Sequence, residues 1–309
     1  TPLIGLPGRI GPSLAEQGSH PGPLSFYLLA VPYRLGGSSA WAMQAGTVLL
    51  HLAAIATALW LAARRGGTRL AVAVTALAAL LVSGYGVAAL AEPWNPYLPL
   101  MWWVVLLLAV WSVACDDVAM LPVVVFAGTL CAQTHIPYLG LAAGMGVVAA
   151  VLAALAWRRA PRGSPGRRRV LGWGAAALAL AAVLWAPPVI DQVINEPGNL
   201  RRIYDHLATP TETPVGLGRG VELALIHLNV AHFVTGDSGA NGSLVDASSD
   251  PDGSIVPGLV VLALWAVAAA TAVRLRHRAL IGLHAVVAAA LVLGALSMSR
   301  IFGKVWFYL

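Results

Sequence analysis

Residues 136–157 read IPYLGLAAGMGVVAAVLAALAW, and Arg158 and Arg159 follow at once. These 22 residues carry no charge. A helix needs about 20 apolar residues to cross roughly 30 Å of hydrocarbon. The run is continuous rather than alternating, which excludes the ~10-residue strands of an outer-membrane barrel. In lipid each backbone N–H and C=O must be satisfied within the segment, so such a run is a helix.

The same pattern recurs along the chain. Uncharged apolar blocks cover 40–63, 70–91, 98–115, 118–132, 170–190, 255–273 and 279–299. With 136–157 they make eight, and the shortest, 118–132, contains Pro122. The composition agrees: 59% of the 309 residues are hydrophobic and 10% are charged. A soluble domain carries about a quarter charged residues. The expected fold is therefore an all-α polytopic membrane protein of about eight spans. Its expected segments are an outer loop at 1–38, a six-span core at 39–190, an outer loop at 191–254, and two further spans with the start of another segment at 255–309. The chain begins at Thr1 rather than Met and ends in apolar Phe307-Tyr308-Leu309, so further residues are expected at both ends.

The net charge of +6 comes from arginine clusters between blocks. Arg64, Arg65 and Arg69 form one, Arg158, Arg159, Arg162, Arg167, Arg168 and Arg169 a second, and Arg274, Arg276 and Arg278 a third. No nucleic-acid partner is needed to account for them. Short loops rich in Arg face the cytoplasm, and eight alternating spans put all three clusters on that side. Cys115 and Cys131 make neither a disulfide framework nor metal-ligand spacing.

The opposite face then holds the polar islands. Residues 23–35 read PLSFYLLAVPYRL, too short to span, and are expected as an interfacial helix on the outer leaflet. The alternative is half of a hairpin. Before it, His20 stands next to Pro21 and Pro23. His20 is either a contact in an outer cavity or, the plainer chemistry, a solvated loop histidine. The stiff turn Glu92-Pro93-Trp94-Asn95-Pro96-Tyr97-Leu98-Pro99 presents Asn95 either to a ligand or only to water. Gln133-Thr134-His135-Ile136-Pro137-Tyr138 is a third island. Polar groups at membrane depth are costly and tend to be functional, although a lone His is more often structural.

The segment 191–254 is expected outside, with a turn at Glu196-Pro197-Gly198-Asn199 and a short helix over 200–207. Arg201 and Arg202 there oppose the positive-inside bias and are candidate phosphate contacts, or a solvated pair. The stretch 236–253 is rich in Gly, Ser, Asn and Asp and matches no calcium-loop template. Arg300 and Lys304 follow the last block and require an anionic partner, a lipid-linked phosphate or a headgroup. Asp116-Asp117 has the form of an acidic pair but falls on the arginine side, where it is expected as a loop.

The order of these features resembles the GT-C superfamily of polytopic glycosyltransferases, among them the protein mannosyltransferases and the aminoarabinose transferase of lipid A. The segment from His20 to Tyr27 is similar to the Pro-Pro-Leu-Tyr-Tyr-like stretch of the first outer loop in that family. The strings PWNPYLP (93–99) and QTHIPY (133–138) look closer still to actinobacterial membrane proteins of this type. The resemblance covers most of 18–190 and 299–309. It implies a bacterial plasma-membrane enzyme with its active face extracytoplasmic. The reaction would move a sugar from a polyprenyl-phosphate donor to a hydroxyl on a glycan, lipid or protein, amid membrane lipids. The family uses an Asp or Glu at the start of the first outer loop as general base. That carboxylate would lie around or before Thr1; Glu16 is the carboxylate this segment offers. By the same likeness His20, Tyr27, Asn95, His135 and Tyr138 would line the cavity, and Arg201, Arg202, Arg300 and Lys304 would meet the donor phosphate. No cofactor is implied, and a divalent metal is left open. The competing classes are a lipid-linked substrate transporter or flippase, and a non-catalytic scaffold.

Overall fold

The computed structural model describes residues 2–8, 10, 17–210, 212–230 and 253–301. Glu16, Lys304 and most of the 236–253 stretch lie outside them. The described elements are helical: α1 (Leu24–Leu35), α2 (Ala40–Tyr85), α3 (Ala88–Ala91), α4 (Leu100–Ala114), a 3-10 turn at Val118–Met120, α5 (Leu121–Thr134), α6 (Pro137–Arg159), α7 (Pro165–Ile194), α8 (Asn199–Ala208), α9 (Gly216–His227), α10 (Val256–Arg274) and α11 (Arg278–Ser299). Among the described residues the one β-bridge pairs Pro7 with Ser19. The chain is thus an all-α membrane protein.

Among the described residues five helices are long and apolar enough to cross a bilayer: α2, α6, α7, α10 and α11. The blocks at 40–63 and 70–91 are joined in one 46-residue helix that breaks at Gly67 (φ 64°, ψ −158°). This conformation lies in a region that only glycine enters without strain. The blocks at 98–115 and 118–132 became α4 and α5, of 15 and 14 residues. A 15-residue helix is about 22 Å long, less than the hydrocarbon thickness.

The chain forms two compact units, Thr1–Ala71 with Ala91–Thr211, and Val72–Leu90 with Glu212–Leu309. In the first unit the short helices are the core. Val105, Leu106, Ala109 and Val110 of α4, and Ala127, Leu130 and Cys131 of α5, are all buried. The longer α6 and α7 pack around α5 and leave Val147, Val151, Leu171 and Leu178 exposed. Such outward apolar rows suit a lipid surround. In the second unit α9 packs against α10 and α11, and the Val215 N–H donates to the Ile301 carbonyl at 3.0 Å.

The segment 23–35, expected as a helix, forms α1 over Leu24–Leu35. It turns back through Gly37 and Ser38, both at positive φ, onto the start of α2. At the far end of α2's first half, Arg64 and Arg65 both donate to Asp117 Oδ2, Arg64 at 2.9 Å. The acidic pair expected as a plain loop is therefore divided. Asp116 is exposed at φ 64°, while Asp117 is buried beneath two guanidiniums. Helices packed into a low-dielectric interior bury a charge only with a partner.

Candidate functional site

The site lies where α5 ends and α6 begins. Gln133 is in the last turn of α5, where helical carbonyls lose their partners. Its own carbonyl would bond residue 137, but Pro137 has no N–H. The Gly22 N–H takes that place at 3.3 Å. The Gln133 side chain, fully buried, accepts from the Leu24 N–H at 3.2 Å and donates to the Leu184 carbonyl at 2.8 Å. That carbonyl is free because Pro188, four residues on inside α7, has no N–H. Two prolines thus open two carbonyls, and one glutamine satisfies the side-chain half of the account. Gly22 has no room for a side chain, since a Cβ there would meet Gln133 Cδ and Oε1 at 2.3 Å.

Upstream of Gly22, residues 5–8 pair with residues 18–20 as a narrow antiparallel ribbon. The Gly5 N–H donates to the His20 carbonyl at 3.0 Å, His20 N–H to Leu6 at 2.8 Å, and Gly8 N–H to Gly18 at 2.9 Å. Its other edge is held by Asn199. The Asn199 Oδ1 accepts from Ser19 N–H at 2.8 Å, and its Nδ2 donates to the Ser19 and His20 carbonyls at 3.0 and 3.3 Å. Buried Asp191 fixes Asn199 in turn. Asp191 Oδ2 accepts from the Asn199 N–H and Oδ1 from Asn195 Nδ2, each at 2.8 Å. The expected helix over 200–207 is α8, and Asp191 caps its first turn.

This framework points His20 at three neighbours. The Ile136 N–H, unused at the start of α6, donates to His20 Nδ1 at 3.2 Å. The Asn95 amide meets His20 Nε2. The His135 ring lies 5.3 Å away, centroid to centroid, at 48°. The Asn95 atom placed there is Nδ2. Since Nδ1 accepts, the neutral imidazole carries its proton on Nε2, and the contact becomes a hydrogen bond once the Asn95 amide is turned over so that its oxygen accepts. Tyr138 stands 6.2 Å from His135 and 5.8 Å from Trp103. Both ring nitrogens of His135 are buried without a hydrogen-bond partner.

Burial lowers the His20 pKa to about 4. Burial also lowers His135, to about 3, and the neighbouring His20 adds to this. Both rings are neutral near pH 7, so neither offers phosphate an ion pair. A neutral imidazole offers one N–H and one lone pair, which is the complement of a hydroxyl group. Asp191, the buried carboxylate nearby, has both oxygens engaged.

Of the residues singled out from sequence, His20, Asn95, His135 and Tyr138 come together. Tyr27 lies on α1, and its hydroxyl donates to the Pro2 carbonyl. Arg201 is exposed, pairs with Asp205 at 2.9 Å and stacks 5.6 Å from the Tyr204 ring. Arg202 Nε donates to the Pro197 carbonyl at 3.3 Å. Arg300 belongs to the second unit. Gln133, Asp191 and Asn199 are the organising residues; sequence placed Gln133 in the third island and Asn199 in a turn, but gave none of the three an organising role. The prolines at 137 and 188 were the available signal, because each frees a carbonyl that some polar side chain or N–H must meet. Among the described residues no three His, Cys, Asp or Glu side chains gather in a metal-binding group. No protein-family model matches the chain, and neither does any curated protein or solved structure.

Proposed function

We propose that this chain is a multi-span glycosyltransferase of the GT-C type, moving a sugar from a polyprenyl-phosphate donor to an acceptor hydroxyl at the extracytoplasmic face of a bacterial plasma membrane. The supporting observation is the convergence of three polar islands, around His20, Asn95 and His135, on one buried, neutral cluster. A buried imidazole with neither nitrogen satisfied costs stability. It is retained where a ligand completes it. In this role His135 binds a hydroxyl of the sugar or of the acceptor. The bond from the anomeric carbon to phosphate oxygen breaks, a bond from that carbon to the acceptor oxygen forms, and the hydroxyl proton passes to a base.

The neutrality of the histidines assigns the donor phosphate to a cation instead. Arg201 and Arg202, side by side in the first turn of α8, are the proposed contacts. In the proposed topology α2 counts as two spans divided at Gly67, and α4 and α5 count as short spans shielded from lipid by their neighbours; with α6, α7, α10 and α11 the total is eight. The direction follows from the first unit. Arg64, Arg65 and Asp117 occupy one end of α4 and α5, and the histidine cluster the other. Basic loops favour the cytoplasm, which leaves the cluster outside.

The test is sugar transfer by the purified chain in proteoliposomes, with radiolabelled polyprenyl-phosphate sugars and hydroxyl acceptors. Label should move to the acceptor, and His135→Ala should slow transfer by about 100-fold or more while elution and helicity are unchanged. Transfer that survives His135→Ala would overturn the role of the cluster. Movement of the intact donor lipid across the bilayer with no bond cleaved would establish the flippase class instead.

A further inference from the structure

The turn between α6 and α7 carries six arginines, and helix electrostatics accounts for only two. Arg158 and Arg159 end α6, where cations suit the negative end of the helix dipole. Arg167, Arg168 and Arg169 sit in the first turns of α7, where the dipole is positive and acidic residues are the stabilising choice. No Asp or Glu occurs between Asp117 and Asp191, so no carboxylate of this hairpin offsets them. Arg158, Arg159, Arg162, Arg168 and Arg169 are exposed.

The turn is nonetheless ordered. Ser164 Oγ caps α7 by accepting from the Arg167 N–H at 3.3 Å, and Arg168 Nη2 donates to the Gly163 carbonyl at 3.2 Å. The Arg167 guanidinium lies 3.7 Å from the Trp157 ring centroid, and the Trp157 indole N–H is buried with no acceptor in the protein. The two flanking helices expose Val151, Leu155, Leu171 and Trp173. Apolar side chains immediately below a ring of arginines set that ring at headgroup depth, with Trp157 in the interfacial belt.

We infer that the α6–α7 turn, Trp157–Arg169, is a binding site for the phosphodiester headgroup of an anionic phospholipid. The guanidiniums take the phosphate oxygens, and the acyl chains lie along Leu155 and Leu171. Local cost at the α7 N-terminus is then offset by a partner outside the chain. The site is independent of the sugar-transfer proposal, since it lies at the other end of α6 from His135, about 34 Å away for a 23-residue helix.

Delipidated protein should be titrated with phosphatidylglycerol and with phosphatidylcholine, and bound lipid counted by native mass spectrometry. Phosphatidylglycerol should bind tighter, and more weakly as salt rises. Each exposed arginine changed to Gln should reduce binding by about fivefold, so Arg158→Gln/Arg159→Gln/Arg168→Gln/Arg169→Gln should lose several hundredfold. Arg162→Gln alone, which breaks no internal contact, keeps the test valid if the quadruple variant misfolds. Equal binding of the two lipids, or binding unchanged in Arg162→Gln and the quadruple variant, would overturn the site. Equal competition by inorganic pyrophosphate at millimolar concentration would also overturn it, because a soluble phosphate and not a lipid would then be the ligand.

Discussion

Asn199 grips the Ser19 backbone in both directions, accepting from its N–H at 2.8 Å and donating to its carbonyl at 3.0 Å, across 180 positions of sequence. A side-chain amide here does what a neighbouring strand would do for the edge of a ribbon. The ribbon is in turn what aims His20. Asn199→Ala leaves a buried donor and acceptor of Ser19 unmet, each costing on the order of 1–3 kcal/mol. The expected result is release of residues 17–21 with the helices intact. Proteolysis should cut the variant before α1 far faster than the parent, while helicity by circular dichroism is unchanged. Equal resistance to cleavage would show that the ribbon is held by something other than Asn199.

Gly22 and Gln133 form a second pair with no slack. Gly22→Ala drives a methyl into a side chain held at both ends, and overpacking of this kind costs about 1–3 kcal/mol. The partner variant Gln133→Ala removes the clash, since Cγ, Cδ and Oε1 all go, but leaves the Leu24 N–H and the Leu184 carbonyl unmet. Both single variants should melt several degrees below the parent in detergent. The double variant should recover part of the Gly22→Ala loss, because the clashing amide is gone. Strict additivity of the two losses would mean that the residues do not interact.

His20 and His135 contribute to the acid limit of the fold. An unfolded imidazole takes its proton near pH 6.5, while burial holds His20 neutral to about 4 and His135 to about 3. Between these values the unfolded chain binds more protons than the folded one, so stability rises with pH. It is complete above about pH 6.5 and is lost as the pH falls towards 4, by on the order of 3 kcal/mol for His20 alone. The melting temperature should fall across that window. In His20→Gln/His135→Gln the fall should flatten, and an unchanged slope would assign the acid sensitivity to other groups.

The architecture was legible wherever one physical demand dominated. Helix was forced by the uncharged runs. What sequence did not show was depth. The runs at 98–115 and 118–132 look like ordinary spans, yet α4 and α5 are shorter and form the core of the first unit. A run that must face lipid and a run that must face helices are equally apolar. The site was legible as islands, and His20, Asn95, His135 and Tyr138 were found on that basis. Their assembly was not, because it depends on Gln133 and Asn199. These are polar residues whose partners are backbone groups distant in sequence, and no spacing rule marks them. The neutrality of the two histidines was not legible either, since burial, and not residue type, causes it.

At the other end of the first unit, Asp117 decides whether two arginines are tolerated. Arg65 is largely buried, with its side chain 16% exposed, whereas Arg64 is 41% exposed. Asp117→Asn keeps the shape but removes the charge, leaving the Arg65 guanidinium buried beside a neutral amide. Breaking a buried pair from one side costs about 3–5 kcal/mol. Arg64→Gln should do little, because water already screens that partner. Arg65→Gln should fall between them, since Asp117 keeps Arg64. The decisive measurement is the double variant Asp117→Asn/Arg65→Gln. If the penalty is an uncompensated buried cation, the double variant melts higher than Asp117→Asn alone. If it melts lower, the two side chains stabilise the fold through their other contacts and the charge pair is secondary.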